Sequence, residues 1–218
     1  MKLYSFFRSS AAYRVRIALN LKQLPYDVIP IHLVRGGGEQ LTAEYRALNP
    51  MALVPALIDD EAQGSQVLTQ SLAIIEYLEE RYPTPPLLPS DAVDRAYVRS
   101  IALSIACEIH PLNNLRVLRY LTRNLKVSED DKNAWYRHWV EDGLASIEAT
   151  LANDPRVGKF CFGDAPTMAD CCLVPQIANA QRFNCDLSAV PVIMRIHDAC
   201  LALDAFANAA PAKQPDAE

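Results

Sequence analysis

The sequence has 218 residues, which is enough for one large domain or two small ones. Its formal net charge is −5 and its lysines and arginines form no cluster, which argues against a nucleic-acid surface. Half of the residues are apolar, but no uninterrupted apolar run approaches the roughly 20 residues that span a bilayer, and the N-terminus lacks a secretory pattern. These features predict a cytoplasmic protein that binds neither nucleic acid nor a membrane.

The cysteines and histidines give no indication of a metal site. The sequence has six cysteines and four histidines, but no C-x-x-C pair and no histidine at ligand spacing from two cysteines. Cysteines scattered in this way predict reduced thiols in the core and not a disulfide framework. No serine lies in a G-x-S-x-G elbow, so a hydrolase triad has no support either.

The chain opens with a short alternating strand over residues 2–6, followed by a helix that is predicted to reach about residue 23. Ser9 or Ser10 is the predicted N-cap, because a hydroxyl there accepts a hydrogen bond from a first-turn amide. The free amides and the positive end of the helix dipole favour a negative ligand atom at this position. From the residues alone, a purely structural cap is the favoured explanation of these serines.

A second strand is predicted over residues 26–33, where β-branched and aromatic residues are frequent. Pro30 within it indicates an edge position, since proline donates no hydrogen bond to a neighbouring strand. The triple glycine at residues 36–38 lacks the Gly-Lys-Ser/Thr ending of a phosphate-binding loop. It therefore predicts a flexible turn.

Two further strands are predicted at residues 54–58 and 66–68, joined by a polar turn at residues 59–65 into a hairpin. Pro55 at the start of the first strand is typical of a rigid or cis turn, and the residues alone leave its isomer open. A helix with one apolar stripe follows, and Ser71 is a candidate N-cap for it.

Four prolines in the seven positions 83–89 make the clearest boundary in the sequence. They cannot continue a helix and predict a stiff linker. The sequence therefore predicts an α/β domain at residues 1–82 with the order βαβ-α-ββα, a proline-rich linker at residues 83–90, and an all-α domain at residues 91–218.

The all-α part begins with a long helical pattern over residues 91–124, interrupted at His110-Pro111, where the proline should kink or restart the helix. The backbone groups freed by such a kink need partners, and nearby asparagine side chains are able to supply them. An acid-rich start at residues 128–131 predicts the next helix.

Thr167 and Asp170 fit a variant of the capping box, in which each side chain bonds to a backbone amide at the start of a helix. This pattern predicts a folding element and not a catalytic one. A last helix is predicted over residues 188–206, and residues 211–218 are expected to form a polar, frayed tail.

Residues 9–19 read Ser-Ser-Ala-Ala-Tyr-Arg-Val-Arg-Ile-Ala-Leu. This stretch resembles the N-terminal active-site motif of zeta-class glutathione transferases, Ser-Ser-Cys-x-Trp-Arg-Val-Arg-Ile-Ala-Leu. The class includes maleylacetoacetate isomerase and overlaps with the bacterial maleylpyruvate isomerases. Ala11 and Tyr13 stand where the usual motif has cysteine and tryptophan, so any role of that cysteine is absent. The resemblance spans nearly the whole chain and implies an α/β, thioredoxin-like N-terminal domain followed by an all-α C-terminal helical domain.

The resemblance also assigns roles to individual residues. It implies a catalytic group in which Ser9 stabilises the thiolate of glutathione, assisted by Ser10 and Arg8. It implies glutathione contacts at loops and helix starts along the chain: Gln40 for the glycyl end, Val54 and Pro55 for the cysteinyl part, Gln70 and Ser71 for the γ-glutamyl carboxylate, and His110 and Asn114. It implies that the substrate's carboxylates meet three arginines: Arg8, Arg116 and Arg182.

The residues alone favour simpler roles for two of these arginines. Arg116 shares a helix face with Arg119 and Arg123, and such a row is typical of a solvated surface. Arg182 follows an apolar helix, where an arginine commonly caps the C-terminus.

The activity implied by the resemblance is a glutathione-dependent cis–trans isomerisation. Maleylacetoacetate, a small dicarboxylate, would become fumarylacetoacetate in tyrosine and phenylalanine catabolism. Glutathione would be regenerated, no metal is implied, and the protein would be a homodimer. Three alternatives stay open: a maleylpyruvate isomerase of aromatic degradation, a general glutathione-conjugating transferase, and a non-catalytic binding protein on the same fold. The intact set of glutathione-binding motifs argues against the last of these.

Overall fold

The computed structural model describes residues 1–62 and 66–218, which form two compact units. One unit comprises Met1–Leu87 together with Ala202–Glu218, and the other comprises Leu88–Leu201. This division differs from the predicted one in its treatment of the C-terminal segment, which the sequence assigned to the helical domain. The segment packs with the first unit because its apolar residues, among them Phe206, are buried there.

A four-stranded mixed sheet forms the centre of the first unit, in the order β2-β1-β3-β4. The strands are β1 (Lys2–Ser5), β2 (Asp27–Pro30), β3 (Ala56–Ile58) and β4 (Val67–Thr69). β1 runs parallel to β2 and antiparallel to β3, and β3 is antiparallel to β4. The edge position of the strand that contains Pro30 is therefore confirmed, as is the pairing of the hairpin strands. Residues 63–65 of the predicted hairpin turn lie outside the described residues.

The helices of the first unit are α1 (Ser10–Leu21), α2 (Ala43–Leu48), α3 (Ser71–Arg81) and a short helix at Asp204–Ala207. Two 3-10 turns, Arg35–Gly37 and Glu39–Leu41, follow β2 in place of a simple flexible turn. The first helix is buried on almost every side, since Val15, Ile17 and Leu19 are all fully buried. Its C-terminal end is attached to α3 by Lys22, whose ammonium donates to the Glu79 carboxylate at 2.8 Å.

The second unit contains α4 (Ala92–Leu103), α5 (Leu115–Arg123), α6 (Glu129–Ala152), α7 (Met168–Arg182) and α8 (Pro191–Leu201). The interruption expected at His110-Pro111 is present but begins earlier, with a π-helical turn at Ser104–Ile109 and a 3-10 turn at His110–Asn113. Asparagine does supply a partner here, because the Asn114 side chain caps α5.

The capping box at the start of α7 is confirmed. One oxygen of the buried Asp170 carboxylate accepts from the Thr167 amide at 2.7 Å, and the other accepts from the Cys161 amide at 2.9 Å. The predicted last helix is broken between α8 and Asp204, because Leu203 has an extended backbone.

Two observations concern the described part of the chain as a whole. None of its helices combines the length and the hydropathy that a membrane-spanning segment needs. Its histidine, cysteine and carboxylate side chains form no group of three or more able to hold a metal ion, and all six cysteines are free thiols.

Candidate functional site

Ser9 is the N-cap of α1, and Ser10 is the first residue of the helix. The Ser9 backbone is extended, and its Oγ atom accepts a hydrogen bond from the Ala12 amide at 3.2 Å. This bond uses a lone pair, which leaves the hydroxyl hydrogen for another acceptor. Because Ser9 is only half-buried, that acceptor can belong to a ligand. Ser10, by contrast, is buried.

Arg8 lies directly before these serines and is exposed. Its guanidinium lies over the rings of Phe7 and Phe6, at 4.9 and 5.6 Å from the ring centroids. Such cation–π contacts hold the cation near the start of α1, and no carboxylate among residues 1–62 and 66–218 forms an ion pair with it.

Two arginines of α1 to which the sequence assigned no role, Arg14 and Arg16, are buried. Arg14 is 2 % exposed and Arg16 is fully buried. Arg14 Nη1 donates to the Ser71 hydroxyl at 3.2 Å, which connects α1 to the start of α3. The sequence does contain a signal of this burial, because the two arginines lie within an otherwise apolar run of the predicted helix.

Gln70, and not Ser71, occupies the N-cap position of α3, so the predicted cap is corrected. Gln70 has φ +68°, a left-handed conformation that non-glycine residues rarely adopt and that costs about 1–3 kcal/mol. Strain of this kind is typical of ligand sites. The Gln70 side chain makes no capping hydrogen bond to the first-turn amides of α3. The Ser71 hydroxyl accepts from Arg14.

The peptide bond between Val54 and Pro55 is cis, a point that the sequence left open. The preceding carbonyl of Leu53 accepts from the Tyr45 hydroxyl and from the side-chain Nδ2 atom of Asn49, both at 2.7 Å. These two bonds fix the loop just before β3.

Gln40 is buried in the loop that follows β2. Its Nε2 atom donates to the Leu33 carbonyl at 3.4 Å, whereas Oε1 has no hydrogen-bond partner among the described residues. Gly38 makes this arrangement possible, since a Cβ there would lie 2.7 Å from Oε1, and its φ of +119° also favours glycine. A buried acceptor left without a donor is rare in native proteins, and this one is able to accept from a ligand group.

Within the first unit, the candidate residues converge at the C-terminal end of β1. Pairing of Tyr4 with Ala56 places the cis loop beside this end of the strand. Phe6, Phe7, Tyr45 and Val54 form one buried cluster beneath it. The start of α1 follows from the same strand, and Arg14 attaches the start of α3.

The remaining predicted site residues belong to the second unit. His110 begins the 3-10 turn before α5, and Asn114 accepts from the Arg116 amide at 3.1 Å as the cap of α5. Arg116 itself is exposed, which agrees with the simpler reading of a solvated helix face.

Arg182 is the last residue of α7 and is also exposed. Its guanidinium lies over the Phe183 ring at 4.8 Å, and Phe183 stacks on Tyr136 at 3.6 Å between centroids. Burial raises the pKa of Tyr136 to about 12, and the neighbouring Arg182 opposes the rise. Tyr136 is therefore a neutral hydroxyl beside a cation at physiological pH.

Comparison with known proteins identifies the family of this chain. Residues 3–86 match the family model for the N-terminal domain of glutathione S-transferases. The chain is 52 % identical over 215 residues to a probable maleylacetoacetate isomerase of Vibrio cholerae, with 99 % of this chain and 97 % of that protein covered. A holo structure of maleylpyruvate isomerase, a bacterial glutathione S-transferase of the zeta class, superimposes with a TM-score of 0.95 at 51 % identity, and all of both chains is covered.

The chain belongs to the zeta-class glutathione transferase family. Another member, maleylacetoacetate isomerase from Methylobacterium extorquens AM1, was solved with malonate and glutathione bound and has a TM-score of 0.95 at 41 % identity over all of both chains. The predicted family, the thioredoxin-like N-terminal domain and the helical C-terminal part are thus confirmed.

Proposed function

We propose that this protein is a glutathione-dependent cis–trans isomerase that converts maleylacetoacetate to fumarylacetoacetate in tyrosine and phenylalanine catabolism. The observation that carries the proposal is the Ser9 hydroxyl at the N-terminus of α1, half-buried and with its hydrogen available, in a zeta-class chain. Maleylpyruvate isomerisation is a second candidate, because a similar solved structure carries that name. It is the same chemistry on a shorter diacid.

The residues of the first unit fit glutathione, a tripeptide with a carboxylate at each end and a thiol between them. The uncapped first-turn amides of α3, with Gln70 and Ser71, suit the γ-glutamyl carboxylate. The backbone of Val54, before the cis Pro55, suits the cysteinyl part. Gln40 offers a buried acceptor without a partner in the described chain, which suits the amide hydrogen of the glycyl part. His110 and Asn114 are proposed as further glutathione contacts.

Glutathione, when bound, supplies a thiolate that adds reversibly to the cis double bond of the substrate, so that this bond rotates before the thiol is released. Ser9 donates its hydroxyl hydrogen to the sulfur, which favours the thiolate over the thiol. The positive end of α1 and the Arg8 guanidinium act in the same direction. Ser10 is proposed as a secondary donor.

The substrate's carboxylates require cations, because burial of an unpaired carboxylate costs several kcal/mol. Arg8, Arg116 and Arg182 are all exposed and able to meet an anion. Arginine suits this task better than lysine, since it is always charged and grips a carboxylate with two parallel hydrogen bonds. We therefore propose these three arginines as the substrate-binding residues.

Arg116→Ala and Arg182→Ala are each expected to raise the KM for the diacid about tenfold or more, because a hydrogen bond to a charged group contributes roughly 1.5–3 kcal/mol. Steady-state kinetics and thermal melting measure the effect. The KM for glutathione and the melting temperature should hardly change. Arg123→Ala is the matched control, since Arg123 is an exposed arginine on the same helix as Arg116. Equal losses with an uncharged diester of the substrate would show that these arginines do not bind carboxylates.

Turnover of maleylacetoacetate and maleylpyruvate, each with and without glutathione, tests the proposed function. We expect turnover only with glutathione and the higher kcat/KM for maleylacetoacetate. A higher value for maleylpyruvate would select the second candidate. If neither diacid is isomerised, the isomerase proposal is wrong, and conjugation of a chlorinated aromatic compound would then identify a general transferase.

A homodimer in the cytoplasm is part of the same proposal. The family resemblance supports the dimer, and each unit exposes large apolar side chains that a partner is able to cover, such as Met51 and Val93. The six free thiols and the need for reduced glutathione support the location. Sedimentation at micromolar concentration should give twice the mass of one chain, and a single-chain mass would contradict the dimer.

A further inference from the structure

The last residues of the sequence are packed within the first unit, although the sequence predicted a frayed tail. We call residues 214–218 the tail segment. Gln214 is buried, and its side-chain amide donates to the carbonyls of Asn208 and Ala210 at 3.1 and 3.0 Å. These two bonds hold the start of the tail segment against the chain that precedes it.

Asp216 of the tail segment binds the backbone that leads to Ser9. Its Oδ2 atom accepts from the Phe7 amide at 3.0 Å. The other carboxylate oxygen, Oδ1, is buried and has no hydrogen-bond partner within residues 1–62 and 66–218. The Oδ1 atom is thus withdrawn from water, while the other oxygen of the same carboxylate accepts from the Phe7 amide. Hydrogen bonds to ionised groups are about twice as strong as neutral ones.

Arg16 binds the carbonyl of the same residue, Phe7, whose amide binds Asp216. Its Nη2 atom donates to the Phe7 carbonyl at 3.1 Å, while Nη1 and Nε donate to the Ser5 hydroxyl and the Ala209 carbonyl at 3.0 and 2.9 Å. Burial lowers the pKa of Arg16, and the Asp216 carboxylate is among the groups that oppose this shift. The two peptide groups that flank Phe7 are therefore held by an anion on one side and a cation on the other.

The hydrogen bonds to Phe7 affect the position of Ser9, two residues further along the chain. The Ser9 amide donates to the Phe6 carbonyl at 2.9 Å, so the backbone from Phe6 to Ser9 is a single tight turn. Any rotation of the Phe7 peptide groups would move this turn and with it the Ser9 hydroxyl. A displacement of about 1 Å at a catalytic group is enough to lower a rate by roughly 10²-fold.

We propose that Asp216 and Arg16 are positioning residues that hold the Phe7 backbone and thereby aim the Ser9 hydroxyl at the sulfur of glutathione. The tail segment is then part of the thiolate site, although none of its residues touches the sulfur. The effect on the sulfur of glutathione rests on the proposed function. The hydrogen bonds of Asp216 and Arg16 to the Phe7 backbone do not.

The test compares Asp216→Ala and Asp216→Asn with Glu218→Gln. The last is a matched control, because Glu218 lies in the same tail segment but forms an exposed ion pair with Arg35. The first readout is amide hydrogen exchange in the glutathione-free protein. In Asp216→Ala, exchange at Phe7 and Ser9 should accelerate about tenfold or more. Asp216→Asn should restore part of the protection, since its side-chain oxygen still accepts, and Glu218→Gln should leave exchange unchanged.

The second readout is the pKa of the thiol of bound glutathione, followed by thiolate absorbance. Asp216→Ala should raise it by about one unit, while affinity for S-methylglutathione, which has no ionisable thiol, stays within about twofold of the wild type. Unchanged exchange at Phe7 would overturn the inference, and so would accelerated exchange spread over the whole first unit. Ser9→Ala separates the two proposals: if it leaves the thiol pKa unchanged, the thiolate role of Ser9 fails, while exchange at Phe7 still decides the role of Asp216.

Discussion

Replacement of Ser9 by alanine is expected to lower kcat by about 10²–10³-fold, because a preorganised donor to the reacting atom contributes this much. The protein should remain folded. Ser9 also caps α1 through the Ala12 amide, so the variant should lose roughly 1 kcal/mol of stability as well. Steady-state kinetics and a thermal melt measure the two effects separately.

Ser128→Ala is the matched control for the lost cap. Ser128 caps α6 in the same way, since its Oγ atom accepts from the Asp131 amide at 3.1 Å, and it is exposed. This variant should show a similar fall in melting temperature with unchanged kcat. Ser9→Thr, which keeps a hydroxyl, should retain much of the activity. Near-normal turnover in Ser9→Ala would transfer the role to Ser10 or to the backbone amides of α1.

Replacement of Asp170 by alanine is expected to destabilise the protein by about 3–5 kcal/mol. Its carboxylate accepts hydrogen bonds from the amides of Thr167 and Cys161 and from the Thr167 hydroxyl. Asp170 is fully buried, so water cannot replace these bonds, and each buried donor left without an acceptor costs roughly 1–3 kcal/mol. Urea denaturation followed by circular dichroism measures the free energy of unfolding.

Asp131→Ala is the control for this prediction. Asp131 occupies the same third position of its helix, α6, as Asp170 does in α7, but it is exposed. Its loss should cost under about 1 kcal/mol, because water solvates the groups it leaves. If the two variants lose equal stability, burial of the capping box is not what makes Asp170 important.

Several features that the sequence predicted correctly depend on local signals. A serine before an apolar helix predicted a cap at Ser9 or Ser10, which the structure has at Ser9, and Thr167 with Asp170 predicted the capping box. Pro30 predicted an edge strand for the equally local reason that it lacks an amide hydrogen. In each case the deciding atoms lie within about four residues of one another.

The features that the sequence did not reveal depend on contacts between distant residues. Asp216 accepts from the Phe7 amide, although the two residues lie near opposite ends of the sequence. The polar composition of the tail segment gave no indication of that partner. The burial of Arg14 and Arg16 could not be predicted, because burial of an arginine depends on what packs around its helix. The left-handed Gln70 is likewise imposed by its surroundings, since glutamine has no preference for that conformation.

Titration of free thiol before and after complete conversion of maleylacetoacetate tests most directly whether this protein uses glutathione as a regenerated cofactor. The assay is run with glutathione at a concentration close to that of the substrate, so that consumption is easily detected. The proposed function predicts full conversion to the trans isomer with an unchanged amount of free thiol, and no conversion when glutathione is omitted. Loss of one thiol for each substrate molecule converted would contradict it and identify a conjugating transferase.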